Sequence, residues 1–149
     1  MLGIVEKVIL LQNVDVFADI PSEQLSYLAA IAEELSVAKG DTIYRFDDPS
    51  DALYVVLNGK VRLHRDSEDI TVAEQNEPFG TWAVFDDTPR VATATALEDT
   101  NLLCIHREDF LDLLSDHVQI TESVLKTLVG RLRGLLTRIG TDLSPRGGS

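Results

Sequence analysis

Residues 52–65 read ALYVVLNGKVRLHR and contain two runs of β-branched or alternating apolar residues, separated by Asn58-Gly59. Side chains of a β-strand alternate between its two faces, so each run is typical of a short strand. Asn-Gly favours a type I′ turn, because both central residues of that turn have a positive φ. The stretch therefore predicts two strands joined by a tight turn.

The strand pattern continues on both sides of this stretch, and no sustained helical periodicity interrupts it between Leu35 and Ile105. Turn signals such as Lys39-Gly40-Asp41 and Asp47-Asp48-Pro49-Ser50 separate the runs. Many short strands at close spacing are typical of a sandwich or a barrel. The predicted strands cover residues 35–38, 42–44, 52–57, 60–65, 70–73, 91–97 and 101–105.

Helical periodicity flanks the β region. Residues 1–12 predict an amphipathic helix, and a second helix follows Pro21 with Ser22 as its N-cap. The sequence then predicts a short helix over 106–114 and a long one over 118–139. Along the long helix we expect burial of Leu125, Leu128, Leu132, Leu135 and Leu136.

These patterns predict one domain over residues 1–139, mainly β with flanking helices. Its β core spans about 35–105 and its C-terminal helices about 106–139, while 140–149 predict a flexible tail or linker, being rich in Pro and Gly. A chain of 149 residues with 44 % hydrophobic residues is long enough to bury a core of this size.

Charge is distributed unevenly along the chain. The formal net charge is −12, but residues 126–146 carry five basic side chains and one acidic, a net of +4. The rest carries eight basic and 24 acidic side chains, a net of −16. An acidic body disfavours general nucleic-acid binding, and the basic residues of the last helix lie where the helix macrodipole favours cations.

Other classes of site find little support in the sequence. Cys104 lies in an apolar run and predicts a buried small residue rather than a reactive thiol. His64, His106 and His117 lack the spacing of metal ligands, and no nucleophile or phosphate-loop motif is present. No apolar stretch is long enough to span a bilayer. We expect no enzyme, no metal and no cofactor, and a soluble cytoplasmic protein or the soluble domain of a larger protein.

Two stretches match a known pattern. The first joins Gly40-Asp41-Thr42-Ile43-Tyr44 to residues 52–61, and the second is 79–93, FGTWAVFDDTPRVAT. Together they resemble the cyclic nucleotide-binding domain family, the regulatory module of catabolite activator proteins, cyclic-nucleotide-dependent kinases and gated channels. The resemblance covers about residues 10–138. It implies a double-stranded β-helix, a jelly-roll-like β-roll with N-terminal helices and a C-terminal helical segment.

The resemblance also implies a function. It is that of a non-catalytic regulatory domain that binds a cyclic nucleotide, cAMP in preference to cGMP, and signals through its C-terminal helix. A protein partner or a covalently linked effector domain would receive the signal, and a homodimer through that helix is a further expectation. No DNA-binding domain is expected, because the chain ends at Pro145-Arg-Gly-Gly-Ser.

The second stretch corresponds to the family's phosphate-binding cassette, and its residues make physical sense as an anion site. Gly80 allows close approach of the backbone, and the free N–H groups of a following helical turn attract a phosphate. Arg90 can pair with that phosphate in a forked geometry. The predicted ligand-binding residues are Phe79, Gly80, Thr81, Trp82, Arg90 and Val91.

Four positions depart from the family pattern. Thr81 stands where the family has a glutamate that accepts the ribose 2′-hydroxyl, and Val91 where it often has a serine. Trp82 replaces a medium aliphatic residue and would narrow the pocket. Asp47 stands where the family has glycine, although Asp tolerates a left-handed conformation better than most residues.

A second interpretation follows from these departures. Arg90 would then tie a loop by pairing with Asp86 or Asp87. The domain would be a ligand-free interaction or oligomerisation module that has lost nucleotide binding.

Overall fold

The computed structural model describes residues 2–139 of the chain, and the predicted tail at 140–149 lies outside the described residues. A β region lies between two pairs of helices, with short 3-10 helices at Asp15–Phe17 and Thr81–Val84. The elements are α1 (Ile4–Leu11), α2 (Ser22–Ile31), β1 (Glu33–Val37), β2 (Thr42–Tyr44), β3 (Ala52–Asn58), β4 (Val61–Arg65), β5 (Glu68–Ala73), β6 (Pro78–Phe79), β7 (Thr93–Ala96), β8 (Thr100–His106), α3 (Arg107–Asp116) and α4 (Val118–Ile139).

The strands form two antiparallel sheets of four. The first sheet has the order β1-β8-β3-β6 and the second the order β2-β7-β4-β5. Neighbours in both sheets are distant in sequence, except for the hairpin of β4 and β5. This architecture confirms the predicted fold class, mainly β with flanking helices in a β-roll.

The two central strands of the first sheet, β3 and β8, are buried on both faces. Along β3, Leu53 and Val55 contact the core formed with the helices, whereas Tyr54 and Val56 contact the core between the sheets. Because side chains alternate between the two faces of a strand, β3 contributes side chains to two apolar cores. Cys104 of β8 belongs to the core between the sheets and is 1 % exposed, which confirms its predicted burial.

The turn at Asn58-Gly59 differs from the prediction. Gly59 has a φ of +100°, but Asn58 is not among the residues with a positive φ, so the turn is not of type I′. The flanking strands β3 and β4 do not pair; they belong to different sheets. Glycine is needed here because a Cβ would lie 2.4 Å from Thr100 Oγ1, where the chain crosses closely over the start of β8.

Two element boundaries were also wrong. Pro21, not Ser22, is the N-cap of α2, and its carbonyl accepts from the N–H groups of Gln24 and Leu25. Strand β1 begins at Glu33 rather than at the predicted Leu35, because Glu33 pairs with Cys104 of β8. Pairing with a strand some seventy residues away leaves no mark on the local pattern.

Helix α4 has the predicted bounds, but its two halves differ in burial. Ile120, Val124 and Thr127 are buried in the first half, whereas every residue from 129 to 139 is exposed. The expectation that the leucines are buried was therefore wrong for most of them. Exposed fractions are 40–58 % for Leu125, Leu132, Leu135 and Leu136. Among the described residues, no helix is long and apolar enough to cross a membrane.

Candidate functional site

A cavity of about 420 Å³ opens between the segment 80–92 and the second sheet. Pockets of this size can hold a small organic ligand. The second sheet contributes Leu63 and Ile70 to the wall, and Tyr44 ends β2 at its base. The remaining lining residues are Ser50, Gly80, Thr81, Trp82, Ala83, Asp86, Thr88, Pro89, Arg90, Val91 and Ala92.

Gly80 is the first residue of the segment 80–92 and has a left-handed backbone conformation, which is strained for residues other than glycine. Its φ is +67°, and it serves as the N-cap of the short helix Thr81–Val84. A Cβ at this position would lie 2.6 Å from Arg90 Nη1. The glycine is therefore required both by its own backbone and by the close packing of the Arg90 guanidinium.

Arg90 is a buried cation, with 6 % of its surface exposed. Its Nη2 donates to the Ala52 carbonyl at 2.8 Å, and its guanidinium lies over the Tyr44 ring, 3.9 Å from the ring centroid. The main chain of Arg90 also exchanges two hydrogen bonds with the turn at Asp47 and Asp48. Asp47 has a φ of +73°, which agrees with the left-handed conformation expected of it.

The predicted pairing of Arg90 with Asp86 or Asp87 was wrong. The carboxylate near it is that of Asp51, whose Oδ1 lies 3.9 Å from Nη2. Nε of Arg90 is buried and has no hydrogen-bond partner within residues 2–139. Leaving such a donor without an acceptor is unfavourable, so Arg90, which lines the cavity, keeps one charged N–H group unpaired among the described residues.

The structure brings five of the six predicted site residues to the cavity and places the sixth elsewhere. Gly80, Thr81, Trp82, Arg90 and Val91 line it, with Trp82 57 % and Val91 71 % exposed. Phe79 is instead buried between the sheets, where its ring stacks on Tyr54 at a centroid distance of 5.1 Å.

Two tyrosines beside Arg90 are held in the neutral form. Burial raises the pKa of Tyr54 to about 12, against a smaller lowering by Arg90. Burial likewise raises the pKa of Tyr44, and the Arg90 guanidinium partly opposes the rise. A phenol is protonated at neutral pH already at its ordinary pKa, so these shifts only extend the neutral form to more alkaline pH, and the charge of Arg90 is not cancelled by a phenolate.

Sequence reasoning missed three residues that shape the site. Tyr44 lies under the Arg90 guanidinium, and the Ser50 hydroxyl donates to the Thr88 carbonyl at 2.6 Å. Arg107, at the start of α3, donates to the carbonyl of Asp86 in the segment 80–92 and to the carbonyl of Ser50, which precedes β3. Tyr44 was visible as the end of a motif, but no local signal marks Ser50 or Arg107, because their partners lie 38 and 21–57 residues away.

Within the part of the chain that the structure describes, no group of three or more His, Cys, Asp or Glu residues could hold a metal ion. His64 Nε2 lies 2.9 Å from Thr95 Oγ1, and His106 Nε2 lies 3.3 Å from Glu33 Oε2. These histidines stabilise strand neighbours.

Comparison with protein families gives a match over most of the β region. The model of the cyclic nucleotide-binding domain matches residues 34–117. Apart from Glu33, the first residue of β1, this range contains both sheets, and it contains all the residues that line the cavity.

Curated relatives share this similarity in longer chains. A CRP-like cAMP-activated global transcriptional regulator of Mycobacterium tuberculosis is 25 % identical over 146 residues, which cover 92 % of this chain and 65 % of the relative. Lysophospholipase NTE1 of Chaetomium globosum is 36 % identical over 116 residues, which cover 74 % of this chain but 8 % of the enzyme. The chain thus spans about two thirds of the length of the M. tuberculosis regulator and less than a tenth of the length of the lysophospholipase.

Solved structures show the same fold. The N-terminal domain of a transcriptional regulator from Streptomyces coelicolor A3(2) superposes with a TM-score of 0.80 and 35 % identity, covering 85 % of this chain and 94 % of that domain. The catabolite activator protein of Thermus thermophilus gives a TM-score of 0.67 and 28 % identity, covering 84 % of this chain and 61 % of that protein.

Proposed function

Because this chain belongs to the cyclic nucleotide-binding domain family, we propose that it binds a cyclic nucleotide in the cavity beside Arg90 and acts as a regulatory domain without catalysis. cAMP is the preferred ligand in this proposal, which the cAMP-activated relative from M. tuberculosis supports. The matched part of the lysophospholipase is a small fraction of that enzyme, so its activity is not transferred.

One observation carries the proposal. Arg90 is almost completely buried, yet its Nε has no acceptor among the described residues and its side chain lines the cavity. A guanidinium kept out of water is stabilised strongly by an anion that accepts from it in a forked geometry. A single phosphate group has the charge and the acceptor oxygens for this role.

The remaining parts of the ligand have complementary neighbours in this proposal. The phosphate contacts Arg90 and the backbone N–H groups between Gly80 and Trp82, which the first turn of a helix leaves without an intrahelical partner. The ribose lies near Thr81, whose hydroxyl replaces a carboxylate acceptor. The base packs on the apolar side chains of Leu63 and Ile70.

Isothermal calorimetry with cAMP, cGMP and 5′-AMP tests this proposal on the wild type and on Arg90→Lys. We expect heat with cAMP, and a loss of affinity of about tenfold or more in the variant, because lysine lacks the Nε donor and the planar fork. Arg62→Lys is a matched control, since Arg62 pairs with Asp69 on the second sheet. Absence of heat with both cAMP and cGMP at millimolar concentration would reject nucleotide binding.

The signal would leave the site through α4. Arg131 of α4 pairs with Asp15 at 3.1 Å, and its guanidinium lies 5.7 Å from the centroid of the Trp82 ring at the cavity mouth. A ligand that moves Trp82 would change the energy of this contact, and a switch requires such a difference between two arrangements. We expect cAMP to change Trp82 fluorescence in the wild type and to change it less in Arg131→Gln.

A second candidate function, self-association, is favoured by the exposed face of α4. Leu125, Val129, Leu132, Leu136 and Ile139 are 40–73 % exposed and follow one another at alternating intervals of four and three residues. This spacing is the a/d pattern of a coiled coil, in which each apolar side chain packs between residues of a second helix. The partner in this candidate function is a second copy of α4.

Sedimentation velocity tests self-association. We expect a dimer that Leu132→Glu converts to a monomer, while Thr137→Glu, an exposed substitution of the same charge on another face of the helix, leaves it intact. A wild type that stays monomeric at the highest attainable concentration would exclude self-association through α4. Nucleotide binding is measured separately and can succeed or fail independently.

A further inference from the structure

Arg107, the first residue of α3, joins two separate segments that border the cavity. Its Nη1 lies 2.8 Å from the Ser50 carbonyl, 2.7 Å from the Asp86 carbonyl and 3.2 Å from the Ala83 carbonyl. Its backbone N–H also donates to the Asp51 carbonyl at 2.7 Å. One residue thus holds both the segment that leads into β3 and the segment that follows the short helix.

Two further hydrogen bonds close this network. The Ser50 hydroxyl donates to the Thr88 carbonyl at 2.6 Å, and the Thr88 N–H donates to Asp86 Oδ1 at 3.0 Å. Ser50 is 4 % exposed, so its polar groups have little access to water. Since buried polar groups without partners are destabilising, loss of the Arg107 side chain would release both segments rather than leave them in place.

The same two segments hold Arg90. Arg90 lies two residues after Thr88, and its Nη2 bonds to the carbonyl of Ala52, two residues after Ser50. Arg107 itself is not among the residues that line the cavity. It therefore lies behind the site and sets the distance between the two segments on which Arg90 depends.

We propose that Arg107 is a positioning residue for the anion site: it holds the segment 83–88 against residues 50–51 and so keeps Arg90 directed into the cavity. The inference rests on the proposed function for the identity of the ligand but not for the network itself. Loss of the guanidinium then loosens the cavity wall while the two apolar cores keep their packing.

The test compares Arg107→Met and Arg107→Lys with the matched control Arg62→Met. Trp82 is the one tryptophan of the chain and lies on the short helix of the cavity wall, so quenching of its fluorescence by iodide reports on this wall without any ligand. Amide hydrogen exchange over residues 81–88 gives a second ligand-free measurement. Calorimetry with cAMP measures the site.

In Arg107→Met we expect faster exchange over 81–88, stronger quenching of Trp82 and cAMP affinity reduced about tenfold or more, with the exchange of β3 and β8 unchanged. Arg107→Lys, which keeps the charge and three N–H donors, should lie between wild type and Arg107→Met, and it serves as the test if the methionine variant does not fold.

Exchange and quenching equal to those of Arg62→Met would overturn the network role of Arg107. A looser wall with unchanged cAMP affinity would overturn its role in positioning the site. If the wild type binds neither cAMP nor cGMP, the proposed function and the positioning role in binding both fail, and the ligand-free measurements still decide whether Arg107 holds the wall.

Discussion

The two sheets have four strands each but very different surroundings. The first sheet has helices on one face and the second sheet on the other, so residues 52–56 of β3 are all buried. The second sheet has apolar neighbours on one face, and along β5 Ala73 alone is buried. The cavity opens beside this second sheet.

The difference separates stability from function. Apolar burial on both faces makes the first sheet the main source of stability, since burial of large side chains contributes about 1.5–3 kcal/mol each. The open sheet leaves room for a ligand next to Arg90, whose Nη2 donates a hydrogen bond to the Ala52 carbonyl of the first sheet. Substitutions on the two sides should therefore differ in what they damage.

The largest effect is expected for Phe110→Ala, on the helix side of the first sheet. Phe110 is fully buried and its ring contacts those of Phe17 and Phe85. Urea unfolding should show a loss of about 3–5 kcal/mol in the free energy of unfolding. Ile70→Ala on the open sheet should stay within about 0.5 kcal/mol, because Ile70 is 57 % exposed. Equal losses would remove the contrast between the sheets.

The next largest effect is the loss of stability at alkaline pH that arises from Cys104, which lies between the two sheets. Burial, and secondarily the nearby Glu33 and Asp51, raises the pKa of the thiol from 9.0 to about 12. The unfolded thiol ionises above about pH 9 while the folded thiol stays protonated, so this contribution to stability is complete below pH 9 and lost as pH rises towards 12.

Between pH 9 and 12, the free energy of unfolding measured in urea should fall more steeply with pH in the wild type than in Cys104→Ala. The difference in slope should be on the order of 1 kcal/mol per pH unit. At pH 7 the thiol is protonated in both states, so the difference in the free energy of unfolding between the two proteins reports only the loss of the sulfur atom. That difference is the reference for the slopes at higher pH. Identical slopes would mean that water reaches the layer between the sheets.

The smallest effect on stability, and the most selective one on the site, is expected for Gly80→Ala. The positive φ costs an alanine about 1–2 kcal/mol, and its Cβ would displace the Arg90 guanidinium. Gly130→Ala on α4 meets no atom within 4 Å and should be neutral or slightly stabilising. Thermal unfolding of both variants measures the loss of stability, and calorimetry with cAMP measures the loss of binding at the cavity. Unchanged cAMP binding in Gly80→Ala would contradict the prediction that its Cβ displaces Arg90.

Local pattern predicted much of the fold and part of the site. The bounds of α4 and most strands follow from side-chain periodicity, and the motif at 79–93 directed attention to Gly80 and Arg90. The predicted partners of Arg90 were wrong, and the sequence assigned neither a sheet to β4 nor a contact to Arg107, because all three depend on residues far away in the sequence.

The sequence alone determined where most strands and helices form, and it singled out Gly80 and Arg90 as residues of one candidate anion-binding segment, because periodicity and backbone preference are local properties. Tertiary structure decided that β3 and β4 enter different sheets, that the second half of α4 stays exposed, and that Arg90 turns to Ala52 and Tyr44 rather than to Asp86 or Asp87. Such choices depend on which distant segments meet when the sheets close. Burial and hydrogen-bond satisfaction select among partners that look equivalent along the chain.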